Sequence, residues 1–317
     1  MWVDNDCTTQ DDQWTNYLRV RPTSDEEQPL SADNVRRPRA VLQTALADLA
    51  SLRATSRWVD TGTLRLHVLD YGGNKPPMVM LPGITSPAIT LDFVASELLD
   101  LVRPVVVDMR GRGLSDSAES YSLKDYVDDT RAVIDSLHLE SPLLFGHSMG
   151  ARVAGLAASL DAEKLAGTIL VDPPMTSGPG RGPYPVTLHD FEDQLVAARR
   201  GLDPADMART WPTWPPRELG LRARWLSSCA DEAIARTHEG FESDDFFDFW
   251  PGVPAPTVLI YGADSPMASG QSIEEAKLSN PKARFVKVPG AGHMVLWDAP
   301  ERALSALRSV LTDWDTK

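Results

Sequence analysis

Five residues, Gly146-His147-Ser148-Met149-Gly150, lie between an apolar run (142–145) and a run of small residues (151–160). A strand that turns sharply into a helix between two glycines holds its central serine in a strained conformation. It lifts the hydroxyl clear of the sheet and leaves the next N–H facing whatever that hydroxyl attacks. Ser148 is therefore the candidate nucleophile. A serine hydroxyl reacts poorly at neutral pH unless an imidazole takes its proton and later returns it to the leaving group. His293 fits that need, in Gly290-Ala291-Gly292-His293-Met294 after the last predicted strand. The imidazole must itself be held in one tautomer by a buried carboxylate, and the chain order Ser, Asp, His leaves two aspartates to do it. Asp172 ends the run 168–171, and Asp264 follows the run 257–261. Spacing does not choose between them. For the developing oxyanion, Leu81-Pro82-Gly83-Ile84-Thr85 follows the run 78–81, so the N–H groups of Ile84 and Met149 are the expected donors.

The other polar residues read as structural. His147 is a packed strand-end residue on this reading, and His67, His138, His189 and His238 stand outside any partner motif. Asp108-Met109-Arg110-Gly111-Arg112-Gly113-Leu114-Ser115 reads as a scaffold loop, with Arg110 as its candidate for lining a pocket. Cys7 and Cys229 show neither metal spacing nor a disulfide framework, so both are expected to be free thiols in a reducing compartment. No metal and no cofactor is called for.

The elements that must position these residues follow from periodicity. Two short alternating runs, 57–60 and 64–69, surround Thr61-Gly62-Thr63 and predict an antiparallel hairpin. Thereafter apolar runs (78–81, 104–107, 142–145, 168–171, 257–261, 284–288) alternate with helical segments (89–101, 123–137, 149–160, 272–278, 300–314). Strands buried on both faces and separated by helices make a mostly parallel sheet with helices on both sides, whose ligands bind at the carboxyl ends of the strands. The alternation breaks between Asp172 and Pro256, an interval with four tryptophans and helical patterns at 188–200 and 217–229. It predicts a helical cap inserted after the sixth core strand. The division expected is an N-terminal arm (1–55), an α/β core (56–172 and 256–317) and a cap (173–255).

Residues 1–37 are polar and aperiodic, which predicts an extended or partly disordered arm, and 39–54 carries one amphipathic helix suited to packing or to assembly of a homo-oligomer. The 317 residues, 42% hydrophobic, suffice for one large core. A formal net charge of −14 gives no basic footprint for nucleic acid or an anionic membrane. The first 13 residues are polar and acidic, and no apolar run approaches ~18 residues, so a cytoplasmic protein is expected.

Taken together, the chain from about residue 57 onward resembles the α/β-hydrolases. More narrowly it is similar to the amidohydrolases that cleave N-formyl and other acylated enamine acids of pyridine-ring breakdown. The match rests on the segments 82–90, 110–115 and 146–152, on Val171-Asp172-Pro173-Pro174, on 177–181 and 183–185, on Leu221-Arg222-Ala223, on Trp225-Leu226, and on Gly292-His293-Met294. The resemblance implies a Ser148–Asp172–His293 triad and hydrolysis of a C–N amide bond in a small carboxylate-bearing N-acyl substrate, as in deformylation of N-formylmaleamate. A carboxylate ligand on so acidic a protein needs local cations with bidentate geometry, and Arg181 and Arg222 are the candidates. The competing readings are a carboxylesterase or C–C hydrolase using the same triad and a ligand receptor without turnover. Dehalogenase and epoxide hydrolase chemistry would want aspartate at position 148.

Overall fold

A computed structural model describes residues 37–177 and 181–315, with side chains for 44–177 and 181–314. The predicted arm over 1–37 therefore lies outside the described residues except at Arg37. The predicted helix is α1 (Arg37–Ala50), whose Ala45 and Leu49 pack against the body of the same chain.

Eight strands form one sheet: β1 (Thr55–Asp60), β2 (Arg65–Asp70), β3 (Pro77–Leu81), β4 (Arg103–Val107), β5 (Leu143–His147), β6 (Gly167–Val171), β7 (Thr257–Gly262) and β8 (Arg284–Val288). Their spatial order is β1-β2-β4-β3-β5-β6-β7-β8. The β1–β2 hairpin is antiparallel, as its alternating pattern predicts, and so is the β2–β4 pair; every other pair is parallel. Because side chains alternate across a strand, Val79 and Leu81 enter one apolar cluster while Met78 and Met80 enter the other. Both faces of the sheet are thereby covered, and the near-continuous apolar runs of β3 to β7 are explained.

The fold class read from the sequence is the one observed. After β3 the chain moves outward to β4 and then returns to the other side of β3 to form β5. The loops leaving β3 and β5 diverge there, at the switch point where an open α/β sheet binds ligands. Helix α4 (Met149–Leu160) follows β5; before it come α2 (Asp92–Glu97) and α3 (Leu123–Ser136), the latter with a Ser122–Asp125 capping box. The helix expected over 89–101 is instead a 3₁₀ turn (Ala88–Leu91) followed by the short α2.

Four helices separate β6 from β7: α5 (Leu188–Gly201), α6 (Pro204–Thr210), α7 (Pro216–Trp225) and α8 (Asp231–Ser243). Two of them, α6 and α8, escaped the periodicity argument. Helix α6 is short, and α8 buries Thr237 and His238 beside Ala233, Ile234 and Phe241, so its inward face does not read as apolar. The remaining helices are α9 (Gly270–Ser279), α10 (Val295–Asp298) and α11 (Pro300–Asp315). No helix among the described residues is long and apolar enough to cross a membrane.

The β5–α4 turn is tight. A Cβ placed on Gly150 would lie 1.9 Å from the Leu81 carbonyl oxygen, and one on Gly146 would lie 2.1 Å from the carbonyl oxygen of Gly150. Backbone cannot yield as a flexible side chain can, so Gly150→Ala should lower stability by about 2–3 kcal/mol or prevent folding. An unchanged urea midpoint would contradict this packing.

Candidate active site

Ser148 sits between β5 and α4 at φ 56° and ψ −117°, a conformation costly for a residue with a side chain. Its N–H donates to the Val171 carbonyl at 2.9 Å, which fastens the turn to β6. The Ser148 Oγ lies 2.9 Å from His293 Nε2, and His293 Nδ1 lies 2.7 Å from Asp172 Oδ2. Asp172 is fully buried just past β6, also at positive φ (49°). Its carboxylate accepts further bonds from the Gly262 N–H at 3.0 Å and from the Ser265 hydroxyl. These donors fix the carboxylate's orientation, so the hydrogen on His293 belongs on Nδ1 and Nε2 is free to accept from Ser148.

Of the two aspartates left open by spacing, the structure brings Asp172 to the histidine. Asp264 is exposed, and its N–H donates to the Ala291 carbonyl at 3.0 Å. It is a residue of the loop after β7. Gly83 approaches the serine so closely that an added Cβ would be 3.4 Å from the Ser148 Cβ. The next residue, Ile84, lines the same cavity as Ser148, and among the described residues neither the Ile84 nor the Met149 N–H donates to a protein acceptor. Two unspent backbone donors beside a serine hydroxyl are what an oxyanion requires.

The cavity above Ser148 leaves about 60 Å³ for a water-sized visitor. Gly83, Ile84, Thr85, Ser86, His147, Met267, His293 and Met294 contribute from the strand-end loops, and Tyr184, Val186, Phe191, Gln194, Trp211 and Arg222 from the segment between β6 and β7. Arg222, on α7, is the one lysine or arginine among the described residues that line it. That side chain is only 6% exposed, and its partners are neutral: the Thr85 carbonyl (3.3 Å), the Thr85 hydroxyl (3.1 Å) and the Gln194 side-chain oxygen (3.3 Å). Its guanidinium also lies 5.5 Å from the Trp211 ring centre. Burial without a carboxylate pushes its pKa down to about 10, still far above neutrality, so the cavity holds an uncompensated positive charge.

Arg181 departs from expectation. Its guanidinium donates to both carboxylate oxygens of Glu275 on α9 (2.8 and 2.9 Å) and to Asp245, and stacks 4.4 Å from the Phe247 ring centre. It is absent from the lining of the Ser148 cavity. Carboxylates already pair with both of its terminal nitrogens, and what it holds is the segment between β6 and β7 against α9. Arg110 is likewise occupied, donating twice to Asp129 at 2.7 Å.

Two further residues near the site were given no role by the sequence. Arg112, fully buried, donates to the Ile84 carbonyl (3.0 Å), to the Tyr126 hydroxyl (2.6 Å) and to the Thr237 hydroxyl on α8 (2.9 Å), tying the loop after β3 to the inserted helices. Its place in the Gly-rich segment 110–115 marked the loop but not this clasp. Asp298 on α10 accepts the Gly292 N–H and the Trp214 indole N–H, both at 3.0 Å, and steadies the histidine loop from the far side. Among the described residues no cluster of His, Cys, Asp and Glu is arranged to hold a metal. Cys229 is buried, and burial raises its thiol to about 11.

These features coincide with a family. Residues 78–307 match the model described as "Alpha/beta hydrolase family", and the chain belongs to that family. Within it the chain is similar to an N-formylmaleamate deformylase from Pseudomonas putida, with 39% identity over 242 residues that span 76% of this chain and 90% of the relative. It is also similar to a 2-(acetamidomethylene)succinate hydrolase from Mesorhizobium japonicum, 31% identical over 278 residues, or 84% of this chain and 98% of that one. The crystal structure of an N-formylmaleamic acid deformylase from Pseudomonas putida superposes with a TM-score of 0.74 at 34% identity, covering 80% of this chain and all of the other.

His147 generates a pH test. Its Nε2–H donates to the His293 carbonyl at 3.1 Å, its ring stacks on that of His293, and burial holds its pKa down to about 3. In the unfolded chain the same group titrates near 6.5. Between those limits only the unfolded chain binds the proton, so this contribution is full above about pH 6.5 and falls by roughly 1.4 kcal/mol per unit as pH drops. Urea unfolding at pH 7 and pH 5 should therefore show a smaller loss in His147→Gln than in the parent chain. An equal loss would mean that His147 is not held neutral.

Proposed function

We propose that this chain hydrolyses the C–N bond of a small N-acyl amide bearing one carboxylate, with Ser148 as nucleophile. One observation carries the reading: the hydrogen-bonded chain Ser148–His293–Asp172 opens into the same small cavity as the unpaired Arg222. The Ser148 oxygen attacks the acyl carbon while His293 Nε2 takes its proton. The carbonyl oxygen, now negative, accepts from the Ile84 and Met149 N–H groups. His293 then protonates the departing nitrogen, and a water activated by the same imidazole releases the acid from Ser148. Asp172 keeps the imidazole in its working tautomer throughout.

The relatives' names support the amide as the bond broken, and the cavity supports the charge of the substrate. N-formylmaleamate carries one carboxylate, whereas 2-(acetamidomethylene)succinate carries two. A single buried arginine with neutral neighbours matches the former. The limited volume and the aromatic walls also suit a ligand of few heavy atoms rather than a long acyl chain.

The serine mechanism is tested by formate release from N-formylmaleamate. Ser148→Ala should reduce kcat by about 10³-fold or more. Asp172→Asn should lose roughly 10⁴-fold because the wrong tautomer results, with Asp264→Asn close to the parent. Activity of Ser148→Ala above about a tenth of the parent would defeat the mechanism.

The charge assignment has its own test. Arg222→Met should raise KM for the acid at least about 30-fold, equivalent to losing a charge-assisted interaction of about 2 kcal/mol, while leaving the methyl ester of the same acid nearly unaffected. Equal losses for acid and ester would show that Arg222 serves only the packing of α7.

A further inference from the structure

Helix α1 lies outside the segment that matches the family, yet it grips the helix that carries Arg222. On α7, residues 222 and 224 are two positions apart, a rotation of about 200°, so their side chains leave opposite faces of one helix. Arg222 enters the cavity, and Arg224 reaches the other way to α1. There Asp48 accepts from Arg224 Nε and Nη2, both at 2.8 Å, and its Oδ2 also accepts from the Trp225 indole N–H at 3.0 Å. The Arg224 fork and the Asp48 carboxylate meet in the bidentate arrangement that fixes direction as well as distance. Leu49 and Leu52 add apolar contact to the cluster that contains Leu221 and Trp225. At its other end α7 is held by Arg217, which donates to Asp92 at 2.5 Å.

We propose that Asp48 is a positioning residue for substrate: through Arg224 and Trp225 it fixes the last turn of α7 and so sets the place of the Arg222 guanidinium relative to Ser148. The proposal rests on the reading of Arg222 as the carboxylate anchor. It gives α1 a role within its own chain, at the specificity end of the site rather than at the reacting bond. Arg222 has no carboxylate of its own to hold it; its hydrogen bonds are three neutral ones of 3.1–3.3 Å, beside the Trp211 ring. Its aim therefore depends on where the α7 backbone is kept. Displacement of a binding group by about 1 Å is enough to cost an order of magnitude or more in a well-fitted site.

The test compares Asp48→Ala, Asp48→Glu and Arg222→Met in the full chain, assayed with the N-acyl acid and its methyl ester well below the unfolding temperature. Asp48→Ala should raise KM for the acid about ten-fold with kcat within about two-fold, leave kcat/KM for the ester almost unchanged, and be largely rescued by Asp48→Glu. Equal effects on acid and ester, or none on either, while Arg222→Met discriminates between them, would overturn the role of Asp48 and leave the anchor standing. If Arg222→Met itself fails to discriminate, the anchor falls and this proposal falls with it.

Discussion

The close approach of helix α4 to the ends of β3 and β5 governs the rest of the site. Gly146 and Gly150 allow backbone to touch backbone, and the turn between them leaves Ser148 at positive φ with its hydroxyl on the cavity side. Without that contact the Met149 N–H and the loop after β3 would not converge on one oxygen. The strain at Ser148 is sustained because its own N–H bonds to the Val171 carbonyl and that of Gly150 to the Pro82 carbonyl, so neighbouring strands fix the turn from both sides.

A second constraint is electrostatic. The molecule is strongly acidic, and most of its buried or half-buried arginines are spent on carboxylates, as Arg110 is on Asp129 and Arg181 on Glu275 and Asp245. Arg112, Arg152 and Arg222 stand apart, and Arg152 donates to the Asp244 backbone carbonyl. Arg112 is fully engaged by carbonyl and hydroxyl oxygens, which makes it a clasp between the core and the inserted helices. Arg222 faces the space above Ser148 with weaker, neutral partners. A buried cation of that kind is expensive in the free protein, and an anionic ligand would offset the expense.

Much of this was legible in the sequence because it rests on local rules. Alternation marked the hairpin, apolar runs marked the buried strands, and the Gly-x-Ser-x-Gly and Gly-His loops marked residues that the fold brings within hydrogen-bonding distance. The acid was not legible from spacing, since Asp172 and Asp264 both end neighbouring strands; which one turns inward depends on the positive φ at position 172 and on donors from Gly262 and Ser265. The two arginine candidates looked alike for a similar reason. Whether a guanidinium faces a cavity or a pair of carboxylates depends on residues about 64 and 94 positions away, at Asp245 and Glu275. Helix α8 was hidden by the polar residues on its buried face, and the clasp by Arg112 reaches partners more than a hundred residues distant.

The central claim is that one cavity binds a carboxylate at Arg222 while Ser148 attacks an acyl carbon beside it. A crystal structure with a small boronic acid carrying a carboxylate tests this most directly. The account predicts boron bonded to the Ser148 oxygen, one boronate oxygen about 2.7–3.1 Å from both the Ile84 and Met149 nitrogens, and the carboxylate paired with Arg222. A boronate on Ser148 whose carboxylate points to solvent, or an inhibitor held elsewhere with Ser148 unmodified, would contradict it.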